Sequence, residues 1–126
     1  MKTAHDLVMA AKTRIHEISP EEAEKTLSNT DVLIDIREAD EFQAGHLAGA
    51  LLIPRGILEF KLSNSPELTA RDLKIMLYCK TSGRAALAAL SLKEMGYLNV
   101  TSIAGGFDAW QTAGKPVVVP ALPDFE

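Results

Sequence analysis

A single cysteine, Cys79, stands among the 126 residues of the chain. One thiol cannot close an internal disulfide or build a multi-cysteine metal site, so any sulfur or redox chemistry runs through Cys79 alone or borrows a thiol from a partner. An excess of positive charge is also missing. Thirteen Lys and Arg against seventeen Asp and Glu give a net charge of -4, which argues against non-specific nucleic-acid binding while leaving room for a local anion site. No apolar run approaches the ~20 residues needed to span a bilayer. Residues 1–17 scatter Lys2, His5, Asp6, Lys12 and Arg14 among apolar positions, without a continuous hydrophobic segment or a small-residue cleavage site, and so read as cytoplasmic. His5 and His16 are too isolated to nominate a metal site. Internal repeats, low-complexity tracts and domain linkers are lacking. With 47% hydrophobic and 24% charged residues, the composition is that of one globular domain with one main site.

Three short runs rich in branched residues read as buried strands: residues 32–36, 73–78 and 100–103. Leu51, Leu52 and Ile53 make a shorter fourth, stopped by Pro54. Helices fall between them. Ser19, Pro20 and Glu22 form an opening with a cap, a first-turn proline and a capping box, for a helix to about Ser28. Residues 85–95 form an alanine- and leucine-rich helix that Gly96 ends in the left-handed conformation; with apolar residues around much of its circumference it should be deeply buried. Shorter helical turns are expected at 39–44, 55–61 and 107–112. A further helix within residues 3–15 would carry Leu7, Val8, Ala11 and Ile15 on one face, either packed on its own domain or docking a partner. The tail from Pro116, with three prolines, reads as an extended strap or a loose end. Alternating strands and helices favour a mainly parallel α/β sheet covered on both faces, with ligands at the carboxyl ends of the strands.

Cys79 lies at such an end. The segment Cys79-Lys80-Thr81-Ser82-Gly83-Arg84 joins a buried strand directly to the strong helix. Backbone N–H groups in a turn of this kind can point inward as an anion-binding nest, and the helix dipole adds partial positive charge. Arg84 offers a fixed cation and Lys80 a mobile one, while Thr81 and Ser82 add hydroxyl donors. Gly83 is expected to let the chain turn without a Cβ obstructing the loop. Cations and a helix N-terminus favour the thiolate, the reactive form of cysteine.

This loop resembles the active-site loop of rhodanese-like domains. Two further segments are similar to that family: Asp35-Ile36-Arg37, followed by Glu41-Phe42, by residues 45–50 from Gly45-His46, and by Ile53-Pro54; and Gly105-Gly106-Phe107-Asp108-Ala109-Trp110 with Gly114 and Pro116. Together the three cover residues 18 to about 116. The resemblance implies an α/β domain with a parallel five-stranded sheet flanked by helices, occupying residues 18–118 between an N-terminal helical extension (1–17) and a C-terminal tail (119–126). It also implies sulfur transfer through a Cys79 persulfide, with the loop binding a small anionic donor such as thiosulfate. No metal or organic cofactor is implied. With no second cysteine, discharge requires an external acceptor: cyanide, a small thiol or a protein cysteine. One departure concerns Ser82, where family loops often carry glycine, with a variable residue at the place of Gly83.

Three alternatives compete. Cysteine phosphatases and arsenate reductases use a similar loop, but with five residues between cysteine and arginine where Cys79 and Arg84 enclose four; Asp72 is the nearest upstream candidate acid. A binding module without catalysis would usually lack the cysteine, and a carrier dedicated to one protein partner would look the same in sequence. Oligomeric state is not encoded. Asp35 and Arg37 should support the loop, Asp35 by accepting its hydrogen bonds and Arg37 by pairing with Glu41 or Asp40. His46 is expected to fix a turn through ring-to-backbone bonds rather than act as a base. Phe107 and Trp110 read as core or rim aromatics.

Overall fold

The computed structural model describes residues 1–120. Five parallel strands form one sheet in the order β1-β5-β4-β2-β3: β1 (His16–Ile18), β2 (Val32–Asp35), β3 (Leu51–Leu52), β4 (Lys74–Tyr78) and β5 (Asn99–Ile103). The helices are α1 (Ala4–Lys12), α2 (Pro20–Thr26), α3 (Ala39–Ala44), α4 (Leu58–Asn64), α5 (Gly83–Glu94) and α6 (Gly106–Thr112). The expected α/β class and five-stranded parallel sheet are both present.

Each face of the sheet carries its own core. Ile34, Ile75, Leu77 and Cys79 meet α4 and α5 on one side. Leu33, Met76, Tyr78 and Ile103 meet α2 and α6 on the other. Successive residues of a strand point to opposite faces, so Cys79 and Tyr78 belong to different cores. The central strands β2 and β4, covered on both faces, are therefore largely apolar, which is why their runs are legible in sequence.

Local chemistry sets the helix ends. Thr3 and Asp6 form a reciprocal capping box on α1, while the Ser19 hydroxyl accepts from the Glu22 N–H without the return bond expected of Glu22. Gly96, at φ +96, follows α5 in the left-handed region as anticipated. Along α5 the alanines and Leu92 are buried, whereas Leu87 and Leu90 are only half-buried. Small side chains let the helix lie close to the sheet, and α1 covers part of its outer side. Residues 1–17 are thus tied into the fold twice: α1 packs on α5, and His16–Ile18 forms edge strand β1, which sequence does not reveal because three residues are too short to show a period. In the tail, Val118 exchanges two backbone hydrogen bonds with His46, as a strap would; the part of the tail from residue 121 lies outside the described residues.

Candidate active site at Cys79

β4 ends at Tyr78 and α5 begins at Gly83, so Cys79 and the three residues after it turn the chain from strand to helix. The thiol is 1% exposed, and its Sγ accepts a hydrogen bond from the Ala85 N–H at 3.4 Å. Behind the loop stands the start of α6. The N–H groups of Phe107 and Asp108 donate to the carbonyls of Cys79 and Lys80 at 2.8 and 3.0 Å. Gly106 permits this approach: at φ +58, a Cβ there would stand under 3.0 Å from the carbonyl oxygens of Thr81, Cys79 and Lys80. With these carbonyls drawn to α6, the amides of residues 80–84 donate to no protein acceptor among the described residues. Unclaimed amides at the start of a twelve-residue helix, next to a thiol, make an anion-binding arrangement.

The charged residues of the loop are committed to partners. Arg84 forks onto Glu41, with N–O distances of 2.8 and 2.9 Å. This bidentate bond, opposed by burial, holds the Glu41 carboxyl at about 2 and raises the Arg84 guanidinium above its ordinary value. Lys80 pairs with Asp108 at 2.8 Å on the exposed surface. Thr81 is exposed, and the Ser82 hydroxyl accepts from the Lys12 ammonium of α1 at 2.7 Å. Gly83 has no left-handed backbone; a Cβ there would touch only Val8 of α1, at an ordinary 3.5 Å. The expectation that glycine is needed there for the turn is corrected: the close approach requiring glycine occurs at Gly106.

Asp35 and Arg37 form a buried pair, 0% and 3% exposed, with the guanidinium on both carboxylate oxygens at 2.8 to 3.1 Å. Arg37 also donates to the Gly45 carbonyl at 2.6 Å and lies 4.3 Å from the Phe107 ring centroid. Burial alone would lower its pKa, but the bonds and charge of Asp35 prevail and raise it. Arg37 therefore does not pair with Glu41 or Asp40, since Glu41 is taken by Arg84. Nor does Asp35 receive bonds from the cysteine loop; its acceptors are filled by Arg37 and the Arg37 N–H. The pair fixes the stretch after β2 against Gly45 and Phe107. Burial, reinforced by the Asp35 charge, raises the pKa of the Tyr78 phenol, whose oxygen accepts from the Leu47 N–H.

His46 stacks on Phe42 at 3.6 Å, and its Nδ1–H donates to the Phe42 carbonyl at 3.1 Å, the turn-fixing contact expected of it. Trp110 is 2% exposed and donates to the Pro116 carbonyl, and Phe107 is also buried, so both aromatics are core. Sequence reasoning does not single out Glu41, Asp108, Gly106 or Lys12 for the site. The first three fall within the segments that resemble the family, whereas nothing in sequence points to Lys12. Two surface hollows, of about 540 and 370 Å³, share His16, Leu98 and Val100 in their linings, and the smaller also borders Lys74 and Asn99 at the starts of β4 and β5, the opposite end of the sheet from Cys79. No helix of the described residues is long and apolar enough to cross a membrane.

The chain is similar to known proteins over most of its length. It is 31% identical over 108 residues to a sulfurtransferase of Allochromatium vinosum, covering 84% of this chain and 97% of the relative. It is 34% identical over 102 residues to a thiosulfate sulfurtransferase of Haemophilus influenzae, covering 80% and 92%. Among solved structures, a Rhodopseudomonas palustris protein described as of unknown function and a possible tyrosine phosphatase matches with a TM-score of 0.83 and 30% identity, over 94% of this chain and 96% of that one. The polysulfide-sulfur transferase homodimer of Wolinella succinogenes matches with a TM-score of 0.74 and 33% identity, over 89% and 84%. A family model described as a rhodanese-like domain matches residues 19–113, which contain the cysteine loop, the Glu41–Arg84 pair and the α6 support. The chain therefore belongs to the rhodanese-like domain family.

Proposed function

We propose that the protein is a sulfurtransferase that carries sulfur as a persulfide on Cys79. The observation behind this reading is the Ala85 N–H on Cys79 Sγ, beside five amides that have no protein acceptor among the described residues. In the first half-reaction the Cys79 thiolate attacks the outer sulfur of thiosulfate. The donor S–S bond breaks, its electron pair leaves with sulfite, and Cys79–S–S⁻ remains. A persulfide donor reacts the same way, with its thiolate as leaving group. In the second half-reaction an acceptor nucleophile (cyanide, a small thiolate or a protein cysteine thiolate) attacks the outer sulfur. The Sγ–S bond then breaks and the Cys79 thiolate returns. The two steps balance without a redox co-reactant.

Charge moves outward from Sγ to the terminal sulfur during loading. Preorganised amides and the N-terminus of α5 are suited to stabilise it there. Relatives named for sulfur, thiosulfate and polysulfide transfer support this donor class.

The phosphatase reading rests on the description of the R. palustris structure. Against it stands Arg84, whose two terminal nitrogens are held by Glu41 and not presented to a phosphate. Intact-protein mass spectrometry after incubation with thiosulfate or a persulfide donor tests the proposal. A gain of one sulfur, removed by cyanide and absent in Cys79→Ser, is expected, with the variant as stable as the parent. The reading fails if reduced, folded protein gains no sulfur from either donor, and Cys79-dependent hydrolysis of para-nitrophenyl phosphate would replace it.

A further inference from the structure

Ser82 occupies the N-cap position of α5, where a serine hydroxyl ordinarily accepts from the amide two or three residues on. Two other caps in this chain do so: Thr3 (φ -91, ψ 167) accepts from the Asp6 N–H and Ser19 (φ -69, ψ 161) from the Glu22 N–H. Ser82 differs. Its backbone sits at φ -158, ψ -14, its hydroxyl makes no capping bond, and its oxygen accepts from Lys12 at 2.7 Å. The amide that a capped Ser82 would take, three residues on at Ala85, donates to Cys79 Sγ instead.

We infer that Lys12 is a positioning residue that holds Ser82 out of its capping conformation, and thereby reserves the Ala85 amide for the sulfur of Cys79. Without Lys12, the hydroxyl and the Ala85 N–H are free to form the ordinary cap. That requires ψ of Ser82 to swing toward the values of Thr3 and Ser19, which reorients the peptide between Ser82 and Gly83 and takes one donor from the sulfur. Helix α1 reaches this loop at Ser82 through Lys12, and Val8 of the same helix stands 3.5 Å from where a Cβ on Gly83 would be. Residues 1–18 precede the span of the family model, so α1 adds this control from outside the common domain. Lys12 is anchored further by Glu17, 3.7 Å away.

The inference builds on the proposed sulfurtransferase reading, so its test uses two readouts: sulfur uptake from thiosulfate, and the rate of Cys79 alkylation by iodoacetamide, which needs only a reactive thiol. Lys12→Met is made both in the parent and in Ser82→Ala, which has no hydroxyl to cap with. In the parent, Lys12→Met should slow both readouts roughly fivefold, the scale set by removing one partly exposed polar interaction. In the Ser82→Ala background it should change them less than twofold, and Lys12→Arg, which keeps a donor, should retain the parent rates. Equal reductions in both backgrounds would show that Lys12 acts through its charge alone and overturn the inference, as would no reduction in either. If the parent gains no sulfur from thiosulfate or from a persulfide donor while the alkylation cycle behaves as described, the sulfurtransferase reading fails and the positioning role stands.

Discussion

Replacing Gly106 by alanine probes the contact that turns the loop carbonyls away from Cys79. At φ +58 an L-residue costs ~1–2 kcal/mol relative to glycine. The added Cβ would also stand under 3.0 Å from three carbonyl oxygens, those of Thr81, Cys79 and Lys80. These are backbone atoms, so no side chain can rotate to make room and the loop itself must move. Moving it gives up the bonds from the Phe107 and Asp108 amides, ~1 kcal/mol each. The expected loss of stability is therefore ~3–4 kcal/mol. Gly114 supplies the control, because it is also left-handed, at φ +75, but has nothing within 4 Å of its Cβ direction. Gly114→Ala should thus cost only the conformational ~1–2 kcal/mol. Urea denaturation of the parent and both variants at pH 7 measures the difference, and sulfur uptake under conditions where Gly106→Ala remains folded measures the effect on the site. Equal stability of the two variants, together with uptake in Gly106→Ala within twofold of the parent, would refute the argument that α6 sets the loop.

Two further outcomes follow from the ion pairs. Glu41 is held at about 2, below the ordinary 4.5, so the stability it contributes is complete above pH 4.5 and is lost as pH falls toward 2. With Arg84 37% exposed, solvent screening limits that contribution to ~1 kcal/mol; Glu41→Gln should lose this at pH 7 and converge on the parent as pH falls from 4.5 toward 2, and a constant difference across that range would contradict the pairing. Arg37→Met leaves the fully buried Asp35 carboxylate without its cation and should cost ~3–5 kcal/mol in chemical denaturation, part of it recovered by adding Asp35→Asn; no recovery would mean that the stranded charge is not the cause.

The elements are largely legible in the sequence because their signals are local. Residues 32–36 and 73–78 are largely apolar runs that declare buried strands, and Ser19, Pro20 and Gly96 mark helix ends by backbone chemistry that needs no distant partner. The loop from Cys79 to Arg84 is legible for the same reason, as one strand-to-helix junction. Partner choice is not. Glu41 meets Arg84 across 43 positions and Lys12 meets Ser82 across 70, distances set by how the strands order themselves in the sheet rather than by any period along the chain. Arg37 is expected from sequence to pair with Glu41 or Asp40, whereas the fold gives it Asp35, two positions back, and leaves Glu41 facing α5. The tight approach of Gly106 to three carbonyls is likewise a contact between segments that sequence places more than twenty residues apart.

The tether between α6 and the carbonyls of Cys79 and Lys80 makes the loop a receptor for one sign of charge. With those oxygens turned to α6, what remains beside the thiol is N–H dipoles, and a cation meets no acceptor from them. Peptide N–H groups do not titrate in the physiological range, so this selectivity does not vary with acidity as a ring of lysines or histidines would. Discrimination by sign is therefore written into the path of the chain, and exchanging side chains around the rim tunes affinity without inverting it.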